Sequence, residues 1–194
     1  KNIRRALSSN LNIHVVKDIQ QLNIFYRLYV MTRKGHGLPP LPFKFFKSIW
    51  DNFSASNRVT FMITEYKKQA VASIMFFKFK NRVSAEYLGW DRSFNSIRPG
   101  TYIYWEAIKL AHSEGYKIFD FGRTSTNNID LMEFKRRWGT KIVELPQYYY
   151  PANMRKKDND REESIRYKVI NIISKKAPDG IFKLLGAFCY RHLG

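Results

Sequence analysis

Apolar residues recur at helical spacing between residues 17 and 34, where Leu22, Phe25, Tyr26 and Tyr29 share one face. The run Lys34-Gly35-His36-Gly37-Leu38-Pro39-Pro40 ends this helix, since glycine relaxes the backbone and proline forbids continuation. A second helix is expected over Phe43–Phe53. Three strand-like runs follow, Val59–Tyr66, Ala70–Lys80 and Val83–Trp90, with connections short enough for antiparallel hairpins. Pro99, suited to a first helical turn, opens a helix to about Glu114 with Ile103, Ala107, Leu110 and Ala111 on its buried stripe. A short strand over Lys117–Phe121 comes next. Asn128 or Asp130 then caps a helix through Trp138, with Leu131, Phe134 and Trp138 on one face. A strand pair is expected around Lys141–Tyr150.

Antiparallel hairpins followed by a strand–helix–strand unit predict an α/β fold, a mixed sheet with helices on both faces. Beyond Pro151 the pattern changes. Met154–Glu163 is dense in charge and reads as a linker; helices are expected over Ile165–Ser174 and Gly180–His192, the latter with an apolar stripe of Ile181, Leu184, Leu185 and Phe188. Such a stripe should pack on this domain, on a second copy or peripherally on a membrane. Residues 1–151 are thus expected to form one domain, and 152–194 a charged linker with C-terminal amphipathic helices.

Composition narrows the function. With 194 residues, 44% hydrophobic and 16% aromatic, the chain can bury one sizeable core. No run approaches a membrane span, and Lys1–Asn10 lacks the apolar stretch of a signal peptide. The lone Cys189 rules out an internal disulfide and a cysteine-based zinc site, so a cytoplasmic setting is expected, with peripheral contact at the inner membrane face as a variant. The net charge of +18 favours polyanionic partners: RNA, nucleotide-activated substrates or anionic lipid. No Gly-x-Ser-x-Gly, spaced histidine pair, P-loop or dinucleotide fingerprint occurs, so neither metal ligation nor nucleotide hydrolysis is expected.

One stretch carries a resemblance. Phe119-Asp120-Phe121-Gly122-Arg123-Thr124, followed by Leu131-Met132-Glu133-Phe134-Lys135-Arg136-Arg137-Trp138-Gly139, resembles the Fem-type transferases and their FemAB-like relatives. In these a strand ending in an aromatic-Gly pair precedes a helix that carries Phe-Lys and ends near another aromatic-Gly pair. Ile3-Arg4-Arg5-Ala6, Phe25-Tyr26-Arg27-Leu28-Tyr29, His36-Gly37-Leu38-Pro39, and Arg98-Pro99 before Trp105-Glu106 agree with it. The resemblance spans about residues 1–150 and implies a GNAT-like (acyl-CoA-N-acyltransferase-like) domain, the second of a tandem pair whose N-terminal partner domain is absent from this chain. It further implies transfer of an aminoacyl group from aminoacyl-tRNA to an amine of a cell-envelope precursor such as peptidoglycan, without a cofactor. Two alternatives stand beside it. One is a CoA-dependent N-acetyltransferase of an amino sugar or polysaccharide precursor, with acetyl-CoA or another acyl-CoA as donor. The other is a non-catalytic half that docks RNA or an anionic surface.

The resemblance places Lys135 near the donor's terminal phosphate and reacting ester. Acyl transfer to an amine passes through an anionic tetrahedral centre that a fixed cation can stabilise. Read without it, Lys135-Arg136-Arg137 is an ordinary solvated basic face. Asp120 could orient the amine or take its proton, and Arg123 could hold a phosphate or carboxylate; alternatively the two pair and brace their loop. Phe121, Gly122 and Phe134 complete the donor-binding candidates, Gly122 through backbone clearance. Asn95–Thr101 stands where CoA-dependent enzymes place a pyrophosphate loop, yet it has one glycine and Pro99 removes a donor, leaving Arg98 as its charge. His36, in the glycine-proline stretch, is an acceptor-side candidate or a turn residue. Glu86, Asp91 and Glu106 are candidate bases.

Overall fold

The computed structural model describes residues 2–146, 148, 150 and 165–192. Two short elements come first, α1 (Asn2–Leu7) and β1 (Asn12–Val15). Helix α2 (Ile19–His36) starts where Asp18 accepts a hydrogen bond from the Gln21 N–H at 2.8 Å. It ends at Gly37, which is left-handed at φ 68°, with the Gly37 and Leu38 N–H groups returning to the Lys34 and Arg33 carbonyls. The stop is therefore Gly37 rather than Gly35, and His36 is the last helical residue, not part of a loop. α3 (Phe43–Phe53) occupies its expected range.

The sheet runs β1-β2-β3-β4-β5 in spatial order, with β2 Val59–Tyr66, β3 Gln69–Phe79, β4 Arg82–Trp90 and β5 Ile118–Asp120. The first four strands pair antiparallel and β5 joins β4 in parallel. The parallel join requires a crossover, which α4 (Pro99–Ser113) supplies. α5 (Ile129–Arg136) follows, capped by Asn128, whose side chain accepts from the Leu131 N–H. α6 (Ile165–Lys176) and α7 (Asp179–His192) close the chain. This is the mixed sheet flanked by helices, with C-terminal helices, that the pattern predicts.

A core lies on each face. α2 and α3 cover one side, packing Leu22, Phe25, Leu28 and Phe46 with Phe61 of β2, joined by Phe182 of α7. On the other side α4 packs Ile103, Tyr104, Ala107 and Ala111 against Ile74, Phe76 and Val83. β3, central in the sheet, is buried from Ala70 through Phe76. Where α2 crosses β4 the backbones nearly touch. A methyl group on Gly89 would lie 2.5 Å from the Leu28 carbonyl carbon and the Tyr29 nitrogen. Neither atom can rotate away, so Gly89→Ala should destabilise the domain by about 3 kcal/mol, the upper end for overpacking. Chemical unfolding measures this, and a shift below about 1 kcal/mol would show that α2 can slide.

One expectation fails. The strand pair around Lys141–Tyr150 is absent among its described residues: 141–146, 148 and 150 adopt no strand, and Val143 and Tyr150 are 83% and 95% exposed. β-propensity without a sheet neighbour does not make a strand, and Pro146 interrupts the run of N–H donors. The C-terminal stripe, expected to pack on this domain, on a second copy or on a membrane, keeps much of its surface exposed here. Ile181, Leu184 and Phe188 are exposed and Leu185 is partly so, while α7 turns Phe182 and Gly186 inward. Gly186 sets this orientation by lying against the Pro40 carbonyl. The charged stretch Met154–Glu163 and the boundary at 151/152 fall outside the described residues.

Candidate functional site

β4 and β5 pair through only three residues each, Arg82–Ser84 with Ile118–Asp120, and β4 then continues to Trp90 paired with β3 but not with β5. The fork opens beside an irregularity. Met75 faces Tyr87 but Phe76 faces Ala85, so Glu86 is an extra residue in β4. The bulge also changes side-chain parity. Val83 and Ala85 pack toward α4 before it, Leu88 and Trp90 after it, and Tyr87 is turned toward α2.

Aromatic rings anchor the strand end. Phe121 stacks on Tyr104 at 5.1 Å, and Phe134 of α5 and Trp138, in the turn that ends α5 two residues short of the expected range, lie 5.7 and 6.1 Å from the same tyrosine. Burial pushes the Tyr104 hydroxyl up to about 12. Because Phe134 holds α5 to this cluster, Lys135 points to the neighbouring side. Its Nζ donates to the Gly122 carbonyl at 2.7 Å and to the Arg123 carbonyl at 3.4 Å. Gly122 is left-handed at φ 72°, and a methyl there would stand 3.2 Å from the Ala85 oxygen, so both conformation and space favour glycine.

Asp120 is fully engaged. Its Oδ1 accepts from the Gly122 N–H at 2.7 Å and its Oδ2 from Arg82 at 2.8 Å. The partner is thus Arg82 of β4 and not Arg123, whose side chain is exposed. Sequence proximity suggested the wrong arginine because the strand pairing brings Arg82 across from Ile118. Glu86 completes the cluster. It is accessible from the fork, while burial of part of its surroundings, and secondarily Asp120, raises its carboxyl above the usual range; Lys135 opposes this. The half-buried Lys135 shifts the other way: desolvation lowers its pKa, with Asp120 and Glu86 pulling it back up.

His36 and Arg98 sit elsewhere. His36 rests against Trp90 at 6.3 Å, and burial, then Arg92, Arg33 and Lys175, lower its pKa. Arg98 is left-handed, φ 56°, between a 3₁₀ turn (Arg92–Ile97) and α4. Its carbonyl accepts from both the Thr101 and Tyr102 N–H groups. With Pro99 lacking a donor, Gly100 is left, among the described residues, as the N–H at this terminus with no backbone acceptor. No hydrogen bond or ion pair links His36 or Arg98 to the Lys135 cluster among the described residues. No group of metal-ligating side chains occurs among them either. Two open grooves lie along α3 and α7, and Lys135 lines neither.

The site therefore joins a cation and two carboxylates where β5 stops pairing with β4, a set suited to polarising a carbonyl and accepting a proton from an amine. Glu86 was one of four carboxylates, with Asp91, Glu106 and Asp120, that could serve as base; a bulge leaves no mark in sequence that would have singled it out.

Comparison with known proteins extends this. The sequence model of the acetyltransferase (GNAT) domain matches residues 1–136. A search of curated proteins returns no match. Among solved structures, FemX superposes with a TM-score of 0.66 at 14% identity, covering 72% of this chain and 52% of that one. The chain thus spans about half the length of FemX. A possible acetyltransferase from Clostridium difficile 630 superposes with a TM-score of 0.57 at 13% identity, covering 73% of this chain and 97% of that one. An aminoglycoside N-acetyltransferase in complex with CoA gives 0.56 at 15%, with 74% and 96% covered. At such identities the structural likeness speaks for the fold, whereas the sequence match covers more than two thirds of the chain. The protein belongs to the acetyltransferase (GNAT) domain family and is an acyltransferase by membership.

Proposed function

We propose that this domain is a Fem-type N-acyltransferase that moves an aminoacyl group from aminoacyl-tRNA to an amine of a cell-envelope precursor. The observation that carries the reading is Lys135, held on the Gly122 carbonyl at the fork of β4 and β5 beside Glu86 and Asp120. In this reaction the amine nitrogen attacks the ester carbonyl carbon. A C–N bond forms, the ester C–O bond breaks, and the freed ribose hydroxyl takes a proton. Glu86 accepts the amine's proton, while Lys135 stabilises the charge that develops on the carbonyl oxygen. Asp120 acts as a positioning residue, because both its oxygens already hold the Gly122 turn and Arg82. Phe121 and Phe134 fix the walls, and Arg123 is free to meet donor phosphate. In this reading residues 1–151 form the transferase domain and a further domain completes the acceptor side.

The start of α4 favours an aminoacyl donor over CoA. A pyrophosphate needs several converging N–H groups, and here Pro99 has none while the Thr101 N–H already bonds the Arg98 carbonyl. Calorimetric titration with acetyl-CoA should show weak or no binding. In parallel, labelled aminoacyl-tRNA should donate its amino acid to an amine acceptor. Micromolar acetyl-CoA affinity with acetyl transfer, and no use of aminoacyl-tRNA, would overturn the donor assignment.

A further inference from the structure

α6 and α7 both grip α2. Asn171 donates to the His36 carbonyl at 2.9 Å, Lys34 pairs with Asp179 at 2.6 Å, and Arg33 donates to the Tyr190 hydroxyl at 3.1 Å. Phe182 enters the core, and Gly186 allows contact with Pro40; a methyl there would stand 2.1 Å from the Pro40 oxygen. These contacts decide which sides face inward. On the remaining sides apolar residues meet solvent: Ile172 is 57% exposed, Ile181 58% and Leu184 71%. The surface continues past Leu184 into a groove with Pro42 and Phe43, and from Pro42 into a second groove with Phe45 and Phe53.

Basic residues dominate the charge around this surface, and its acids, Asp179 and Asp51 of α3, are paired with Lys34 and Lys47. Lys175, Lys176, Lys183 and Arg191 are exposed. Between residues 165 and 192 the acidic side chain is Asp179, and Lys34 already neutralises it. A second copy of the chain fits poorly, because a two-fold interface would set this basic patch against itself. An anionic bilayer matches both features, offering an apolar boundary for the aliphatic side chains and phosphates for the lysines. No helix among the described residues is long and apolar enough to cross a membrane, so the fit is to a surface.

We propose that the α6–α7 face seats the domain on an anionic membrane surface, with Ile181 and Leu184 at the headgroup boundary and Lys176 and Lys183 among lipid phosphates. This goes beyond the transfer reaction and is independent of it. The test is flotation of the whole chain with phosphatidylcholine vesicles, with or without phosphatidylglycerol. Binding should require phosphatidylglycerol and weaken with salt. Ile181→Asp with Leu184→Asp should reduce partitioning on the order of ten-fold, with unchanged circular dichroism and melting, since both residues are exposed. Lys176→Glu with Lys183→Glu should do the same without touching an apolar residue. No flotation of the unsubstituted chain, or flotation indifferent to both pairs, overturns the proposal. So does sedimentation showing a dimer that the aspartate pair abolishes, with no vesicle binding.

Discussion

Replacing Lys135 with alanine is expected to lower acyl transfer on the order of 10²–10³-fold while leaving the domain folded. The Phe134 and Trp138 rings, not Lys135, attach α5 to the core, so truncating the lysine removes charge without opening a cavity. Its ammonium rests on the Gly122 and Arg123 carbonyls, where an incoming donor oxygen can replace one of these weak neutral partners. Lys135→Arg should restore only part of the rate, because a planar fork cannot occupy a seat shaped for a compact ammonium. Near-normal turnover in Lys135→Ala, measured beside matched circular dichroism, would leave the residue as a brace of the Gly122 turn.

The pH profile tests the same cluster from another side. In the proposed mechanism turnover needs Glu86 ionised and Lys135 protonated. Glu86's raised pKa puts the acid limb above the ordinary carboxylate range, and Lys135's lowered pKa puts the alkaline limb below that of a free lysine. Asp120 raises both groups. Asp120→Asn keeps an acceptor for the Gly122 N–H but removes the charge, so both limbs should move to lower pH. Limbs that stay in place would exclude Asp120 from the electrostatics of the reaction.

Most of the scaffold was legible because long periodic segments announce themselves. β2 occupies its expected range, β3 and β4 begin one residue early, and α3 and α4 fall where apolar spacing and Pro99 place them. α1 and β1 were not assigned: six and four residues are too few to show a period. At the site, contiguous residues were readable, and Asp120, Gly122 and Lys135 do meet. What depended on register was not. The extra residue at Glu86 and the Arg82–Asp120 pair follow from how β4 aligns with its neighbours, and Ile142, Val143 and Leu145 show that apolar content alone does not recruit a strand.

Lys78 illustrates the same gap and yields the second large effect. Near the end of a strand, a lysine reads as solvent-facing, yet its side chain is 1% exposed. Its Nζ meets the Glu114 carboxylate at 2.6 Å and the Asn57 side-chain oxygen at 2.9 Å, and it lies 5.8 Å from the Phe76 ring. The pair ties β3 to the end of α4. Removing the two partners should have unequal consequences. Glu114→Gln leaves a buried ammonium with only neutral oxygens around it, which should cost about 3–5 kcal/mol. Lys78→Met fills the same space with an apolar chain, and Glu114, 28% exposed, can turn to water. Its cost should be smaller, about 1–2 kcal/mol. The double substitution should then be more stable than Glu114→Gln alone, since the methionine removes the stranded charge. Urea unfolding of the three variants measures this. Equal losses in both single variants, or a double variant worse than Glu114→Gln, would mean that the ion pair itself, and not the desolvation of Lys78, sets the stability of this corner.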